Sequence, residues 1–179
     1  IDVPYISGQV VLMDDSGMFD RLALKGTEQI YFSLVGQDDD TRLNITMNIV
    51  SIVSRTKTAD RTEDYHRNLV SPIAYLDQGI KIYKSYTGKL DEIATKVLKN
   101  HLNDPEINFD YAGNVAQSSV KIITPYISPL ETAKWLLDRA TEFSGAPYFL
   151  WQSIFDQSGG KQKLRIGDLE SMMQKSAEN

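Results

Sequence analysis

Residues Leu43 to Ser54 carry an apolar alternation that changes phase partway along. Leu43, Ile45, Met47 and Ile49 fall on one side of an extended chain, and then Val50 and Ile52 take over. A period of two marks a strand with one buried face. A change of phase turns every later side chain to the opposite face unless an extra residue is accommodated, so a β-bulge or strong bend is expected near Ile49-Val50. Long bent strands are the material of small barrels.

The neighbouring stretches fit that reading. Val10 to Met13 is a short apolar strand stopped by Asp14-Asp15-Ser16-Gly17, and Met18 to Leu24 reads as a helical turn or loop. Glu28 to Val35 alternates, with Ile30, Phe32 and Leu34 on one face, and Gly36-Gln37-Asp38-Asp39-Asp40 reads as a polar hairpin loop. Tyr65 to Tyr75 and Ile80 to Tyr86 are expected to add strands, with Pro72 at an edge or bulge. Short strands with no long helix between them predict an antiparallel barrel or sandwich.

The pattern changes near Thr87-Gly88. Leu90, Ile93, Ala94, Val97, Leu98 and Leu102 recur at helical spacing. Asp91 and Glu92 lie in the first turn and Lys96, Lys99 and His101 towards the end, which suits the helix dipole. Asn103-Asp104-Pro105 ends that helix, and a polar stretch containing Gly113 and Asn114 runs to Ser119. Val120 to Ile123 reads as a strand. Ser128 then caps a second helix, with Pro129 its first residue and Glu131 the capping-box acid; it runs to about Phe143 and stops at Gly145. Tyr148 to Phe155 and Leu164 to Ile166 form a hairpin about a loose turn at Gln157-Ser158-Gly159-Gly160-Lys161, and the tail from Ser171 is expected to fray. The predicted fold is α+β: a β-barrel domain over residues 1–85 and a mixed α/β domain with two helices and a hairpin over residues 86–179.

Composition limits the functions open to such a chain. With 179 residues, 41% apolar and 24% charged, it has the makings of a globular core. A net charge of −5 with scattered Lys and Arg argues against nucleic acid as the main partner. The absence of cysteine removes disulfides and thiolate metal sites. Ile49-Val50-Ser51-Ile52-Val53 is far shorter than the ~20 apolar residues that cross a bilayer, so no membrane insertion is expected. No secretory signal is read at the start, and the Asn44-Ile45-Thr46 sequon carries no weight without one. The chain starts at Ile1 rather than Met, and Ile1 to Ile6 reads as a strand entered from upstream; a fragment of a longer protein is expected.

Nothing marks a catalytic centre. His66 and His101 stand outside any metal-ligand spacing, so no metal and no cofactor are predicted. Asp14-Asp15 and Asp38-Asp39-Asp40 lack the alternating ligands of a calcium loop and read as solvated turns. Ser128 and Ser153 have no nucleophile-elbow context, and Gly79 and Gly88-Lys89 do not form a P-loop. A glycosidase needs two facing carboxylates, and no pair is signalled among the 24 acids.

Three stretches resemble a known family, the baseplate hub proteins of T-even-type myophages. The first is Pro4-Tyr5-Ile6-Ser7-Gly8-Gln9-Val10-Val11-Leu12-Met13-Asp14-Asp15, continued by Leu24-Lys25-Gly26-Thr27-Glu28-Gln29-Ile30. It looks like the opening of that family's first tube-forming barrel. The second, Lys84-Ser85-Tyr86-Thr87-Gly88-Lys89-Leu90-Asp91-Glu92-Ile93, resembles the junction from barrel to helix. The third joins Tyr126-Ile127-Ser128-Pro129-Leu130, Ala133-Lys134-Trp135-Leu136, Arg139-Ala140 and Tyr148-Phe149-Leu150-Trp151-Gln152, and is similar to the capped helix and aromatic strand of the second domain. The resemblance implies a non-enzymatic, tube-type structural role in the N-terminal part of a hub. It further implies a homotrimer whose pseudo-sixfold ring adapts a threefold spike to the tail tube. The implied partners are a spike protein carrying a lysozyme, tube proteins and baseplate proteins, and the implied place is the virion tail baseplate, assembled in the host cytoplasm. The alternatives are a phage-associated cell-wall hydrolase and the hub of a type VI-like injection system.

One helix position separates core from interface. With ~100° per residue, Leu130, Ala133, Leu136, Leu137, Ala140 and Phe143 share a broad face, while Trp135 lies nearly opposite among Glu131, Asp138, Arg139 and Glu142. Either the strand around Tyr148 to Phe155 wraps over Trp135, or Trp135, with Glu131 and Arg139, anchors a contact with another subunit or the spike.

Overall fold

The computed structural model describes residues 4–22, 27–35, 42–58, 62–102, 107–110, 119–144, 147–153 and 163–169. The expected turns and ends at Gly36–Asp40, Asn103–Pro105, Gly145 and Gln157–Lys161, and the tail from Ser171, lie outside those residues. The chain divides into two compact units, one of Tyr5–Tyr75 and one of Leu76–Asn179 with Ile1–Pro4.

The first unit is built on strands β1 (Ser7–Asp14), β2 (Gln29–Val35), β3 (Arg42–Lys57) and β4 (Glu63–Val70), with a single helical turn α1 (Met18–Arg21) after β1. Pro4 to Ile6, expected to end a strand, precede β1 and are not strand. The sheet order is β1-β4-β3-β2, and every pairing is antiparallel. Its core is the apolar alternation made physical. Ile30 stands opposite Met47, Phe32 opposite Ile45 and Ile49 opposite Leu69. Met47, Ile49 and Leu69 are buried together, with Ile6, Val10, Ile30, Phe32 and Ile45 packed around them. Leu34, expected on the same face, pairs with Leu43 towards the end of the β2–β3 ladder and is exposed.

The phase change in β3 is a pair of bulges. The β3–β4 register shifts between Ile49 and Ser51 and again between Ile52 and Ser54. Ile49, Ile52 and Arg55 of β3 therefore stand opposite Leu69, Arg67 and Tyr65 of β4: steps of three on one strand meet steps of two on the other. The longer strand must bend, and each bulge adds local twist. The result is a curled antiparallel half-barrel. Among the described residues it is not closed: β1 and β2 are its two edges and do not pair with each other. Four strands are fewer than the five of even a partly open Greek-key barrel.

The missing strands were misread at Ser71-Pro72. β4 ends at Val70, and α2 (Pro72–Gln78) follows in place of the strand expected to reach Tyr75. Ser71 accepts a hydrogen bond from Ala74 N–H at its Oγ (3.5 Å) and from Tyr75 N–H at its carbonyl (3.0 Å). Pro72 thus occupies the first helical position, where its missing N–H costs nothing, rather than a sheet edge. The expected strand Ile80 to Tyr86 shrinks to β5 (Ser85–Gly88), preceded by an isolated bridge from Ile82 to Ile127.

In the second unit, β5 leads through Gly88 into α3 (Leu90–His101). Gly88 has φ +147°, a conformation side chains with a Cβ rarely adopt, and this is where the sequence changes character. There follow β6 (Ile107–Asp110), β7 (Val120–Ile123), α4 (Pro129–Ser144), β8 (Tyr148–Ser153) and β9 (Lys163–Asp168). β5 pairs antiparallel with β7. β8 and β9 pair antiparallel from Tyr148↔Asp168 to Ser153↔Lys163, as the expected hairpin requires. β6 lies in the stretch expected to be only polar, and it pairs parallel with β9. Its partner is more than fifty residues downstream, so no local turn announces it. α3 and α4 pack on each other. Leu90, Ile93, Ala94, Val97 and Leu98 of one and Leu130, Ala133, Leu136, Leu137 and Ala140 of the other are all buried, as their spacing predicts.

One buried group of the first unit works against its core. Arg67 is 4% exposed on the same side of β4 as Tyr65 and Leu69, and no ion pair among the described residues involves it. Its guanidinium lies 5.4 Å from the Tyr65 ring centroid and its Nε has no hydrogen-bond partner. Burying a guanidinium whose Nε donates to nothing is costly, and the ring face offsets part of that cost. Arg67→Leu is therefore expected to raise stability by roughly 1 kcal/mol, after the lost ring contact is subtracted. Urea denaturation of the two proteins measures this; a lower midpoint for the variant would show that the guanidinium is compensated.

Candidate interaction site

The start of α4 is the most heavily tied point of the second unit. Ser128 N–H donates to Glu131 Oε2 (3.0 Å) and Glu131 N–H donates to Ser128 Oγ (3.4 Å), so the capping box expected from Ser128, Pro129 and Glu131 is complete. A partner the sequence did not suggest joins it. Leu130 N–H donates to Asp77 Oδ1 at 2.7 Å. Asp77 sits at the end of α2 and is buried. Burial raises its pKa above the ordinary aspartate value, against the opposing pull of Leu130 N–H. Glu131 is shifted the other way, first by Ser128 N–H and then, against desolvation, by Lys81, whose Nζ lies 3.8 Å away.

Glu131, Trp135 and Arg139, the candidate interface residues, stand at intervals of four along α4. Glu131 is exposed, but its carboxylate is committed to the cap and to Lys81. Trp135 and Arg139 form a unit. The guanidinium lies 3.9 Å from the Trp135 ring centroid and donates to the Trp135 carbonyl at 3.2 Å. Both side chains are half-buried, so Trp135 matches neither a core tryptophan nor a bare surface one. A groove of about 290 Å³ lies beside them, between Lys134, Leu137 and Asp138 of α4 and residues 147–150 that open β8, with Pro4 at one side. Sequence reasoning missed it, because its lining consists of ordinary residues that only the packing of α4 on β8 brings together.

The residues weighed for chemistry are dispersed. His66 lies in β4 and His101 at the end of α3. Among the described residues no three His, Asp or Glu side chains are grouped to hold a metal. Asp14 has a structural partner set. Its Oδ2 accepts from Phe19 N–H (2.9 Å), and its Oδ1 from Ser16 N–H (3.0 Å) and Ser16 Oγ (2.9 Å), which together hold its pKa down to about 2. It caps the turn into α1, as acids in such turns do. Asp38-Asp39-Asp40 lie outside the described residues. No helix among the described residues is long and apolar enough to cross a membrane.

No protein-family model matches the sequence, and no curated protein matches it. Solved structures do match in fold. The E. coli c3393 protein, a component of the type VI secretion system with structural similarity to T4 bacteriophage tail proteins gp27 and gp5, superposes with a TM-score of 0.62 at 10% identity. The match covers 90% of this chain and 42% of that one. This is a tail-protein fold. The tail protein from Neisseria meningitidis MC58 matches at TM-score 0.51 and 14% identity, over 91% of this chain and again 42% of the other. At such identities the likeness is one of fold, and this chain spans less than half the length of either protein.

Two outcomes follow from the geometry of α4. Asp77→Asn keeps an oxygen for Leu130 N–H, whereas Asp77→Ala strands that donor and should cost roughly 1–2 kcal/mol. Because burial raises the folded-state pKa of Asp77, the folded protein holds the proton more tightly than the unfolded chain, and this group's contribution to stability falls as pH rises through and above the ordinary aspartate range. Thermal melts between acidic and neutral pH should therefore show Asp77→Asn gaining on the parent as pH rises; parallel curves would refute the assignment. Second, a double-mutant cycle of Trp135→Ala and Arg139→Ala should give a coupling of about 0.5–1 kcal/mol. Additive losses would mean that the stack does not hold in solution.

Proposed function

We propose that this chain is a structural component of a contractile tail or injection machine, and more specifically part of a baseplate hub. The observation that carries the proposal is the likeness in fold, over nine-tenths of this chain, to a tail protein and to a type VI secretion component that is itself similar to phage tail proteins. The curled half-barrel followed by an α/β unit supports the same reading, because a ring can supply the neighbours that an incomplete barrel lacks.

On this reading a tube-type β domain, residues 1–85, is followed by an α/β domain, residues 86–179, and the chain is the N-terminal portion of a longer hub. Three copies form the ring that adapts a spike to the tail tube. The spike protein and the tube and baseplate proteins are the partners, and Trp135, Arg139 and Glu131 contribute to a subunit contact. The protein is non-enzymatic and works in the tail baseplate of a virion assembled in the bacterial cytoplasm. A second reading, the hub of a type VI-like system, is favoured by the first structural neighbour, which is itself a component of the type VI secretion system. The carboxylates also lean away from a cell-wall hydrolase: Asp77, the buried one whose pKa is raised, is engaged as a helix cap rather than poised in a cleft.

Light scattering on the full-length native protein tests the ring. A trimer is expected, weakened by Trp135→Ala, and a stable monomer or dimer would overturn the proposal. Clearing of permeabilised cells by the purified protein, abolished by changing one or two acids, would instead establish a hydrolase.

A further inference from the structure

The β5–β7 ribbon presents a surface that the tail reading does not use. Its register runs from Gly88↔Val120 to Ser85↔Ile123, and the next pair is Ile82↔Ile127. Between those last two pairs, Tyr83 and Lys84 on one side face Thr124, Pro125 and Tyr126 on the other. Two residues opposite three make a bulge. It brings Tyr83 and Tyr126 to the same stretch of ribbon, where they are 73% and 72% exposed, with Ile123 beside them at 59%. The inner side is anchored, since Ile82 and Tyr86 are buried. Three large apolar side chains are thus held outward on a braced support.

The charge carried by the ribbon segments themselves is of one sign, with Glu131 and Glu92 reaching in from the helices at Lys81 and Gly88. Residues 79–89 and 119–127 contain Lys81, Lys84, Lys89 and Lys121 and no Asp or Glu, in a chain whose net charge is −5. All four lysines are exposed. Lys81 is paired with Glu131, and Lys84 lies 5.8 Å from the Tyr86 ring centroid. An aromatic centre with a cationic rim is the anatomy of a protein interface, in which tyrosine supplies the buried contact and charges stay wet at the edge.

We propose that the Tyr83–Ile123–Tyr126 face is a docking surface for an acidic segment of another protein, one that offers carboxylates to Lys84, Lys89 and Lys121 and aromatic or aliphatic side chains to the centre. The local pattern selects this occupant: carboxylates answer the lysine rim, aromatic or aliphatic side chains answer Tyr83, Ile123 and Tyr126, and a nucleic-acid backbone has no use for Ile123. The inference holds whether or not the chain works in a tail.

The probe is a labelled glutamate–tyrosine copolymer, titrated with the whole chain and followed by fluorescence anisotropy at low and high salt. Salt-sensitive binding is expected, weakened at least about tenfold by Tyr83→Ser with Tyr126→Ser and by Lys84→Gln with Lys121→Gln, and unchanged by Lys96→Gln with Lys99→Gln on α3. Circular dichroism confirms that each variant is folded; if the tyrosine pair fails to fold, Tyr83→Ser alone carries the test. The proposal is overturned by absence of binding, by polyglutamate binding as tightly as the copolymer, by tighter binding of an oligothymidylate, or by self-association of the parent that the tyrosine variants lose.

Discussion

A hydrogen bond from Leu130 N–H to a buried carboxylate organises the second half of this protein. α4 is its central helix: it packs on α3 and on β8, and its own first turn holds Pro129 and Leu130 in the interior. A helix that starts inside a fold leaves N–H groups that water cannot reach. Asp77 satisfies one of them from another element, and Ser128 satisfies the next. The desolvation that raises the Asp77 pKa is the cost of this arrangement, and the positive end of the helix offsets part of it. Once the start of α4 is fixed, so is the rotation of the helix. Leu130, Ala133, Leu136, Leu137 and Ala140 then meet the core, and Trp135 and Arg139 are left half-covered and stacked on each other.

The first unit depends on a mismatch of strand lengths. Two extra residues in β3, one near Val50 and one near Val53, have to be stored against β4. A sheet stores them by bending and twisting, which lets four strands curve as part of a barrel wall would. The core beneath is small, centred on Met47, Ile49 and Leu69. Nearby, Arg55 and Arg67 lie on the Tyr65 ring at 5.3 and 5.4 Å, and among the described residues it is Arg55 that has a carboxylate, Glu63 at 2.6 Å. Side chains of this kind are unusual in a sheet whose only task is to bury itself.

What could be read in the sequence was what local physics decides. The capping box at Ser128 and Glu131, the helical spacing of Leu90 to Leu102 and the phase change at Ile49-Val50 each express a constraint between residues a few positions apart, and each is present. The Ser71-Pro72 pair carries the same start signal as Ser128-Pro129 and was legible too; it was overridden by the aromatic and branched run from Tyr65 to Tyr75, which reads as strand. Closure of a barrel, the parallel pairing of β6 with β9, and the groove beside Leu137 depend on partners distant in sequence, and nothing local encodes them. The same is true of Asp77: an Asp near the end of a short helix gives no hint that it serves a helix fifty-three residues further on.

The strand order also has a temporal meaning. Of the four strands of this sheet β1 is made before the other three, yet among the described residues its ladder, from Ser7↔Val70 to Asp14↔Glu63, is formed with β4 alone. At synthesis rates of 5–20 residues per second, the 56 residues from Asp15 to the end of β4 take roughly 3 to 11 seconds to appear. For that interval Val10, Val11, Leu12 and Met13 have no strand to join, and β2 and β3 can already have paired with each other. The nascent chain therefore passes that interval with an apolar early segment still unpaired in this sheet, open to whatever else an emerging chain can meet.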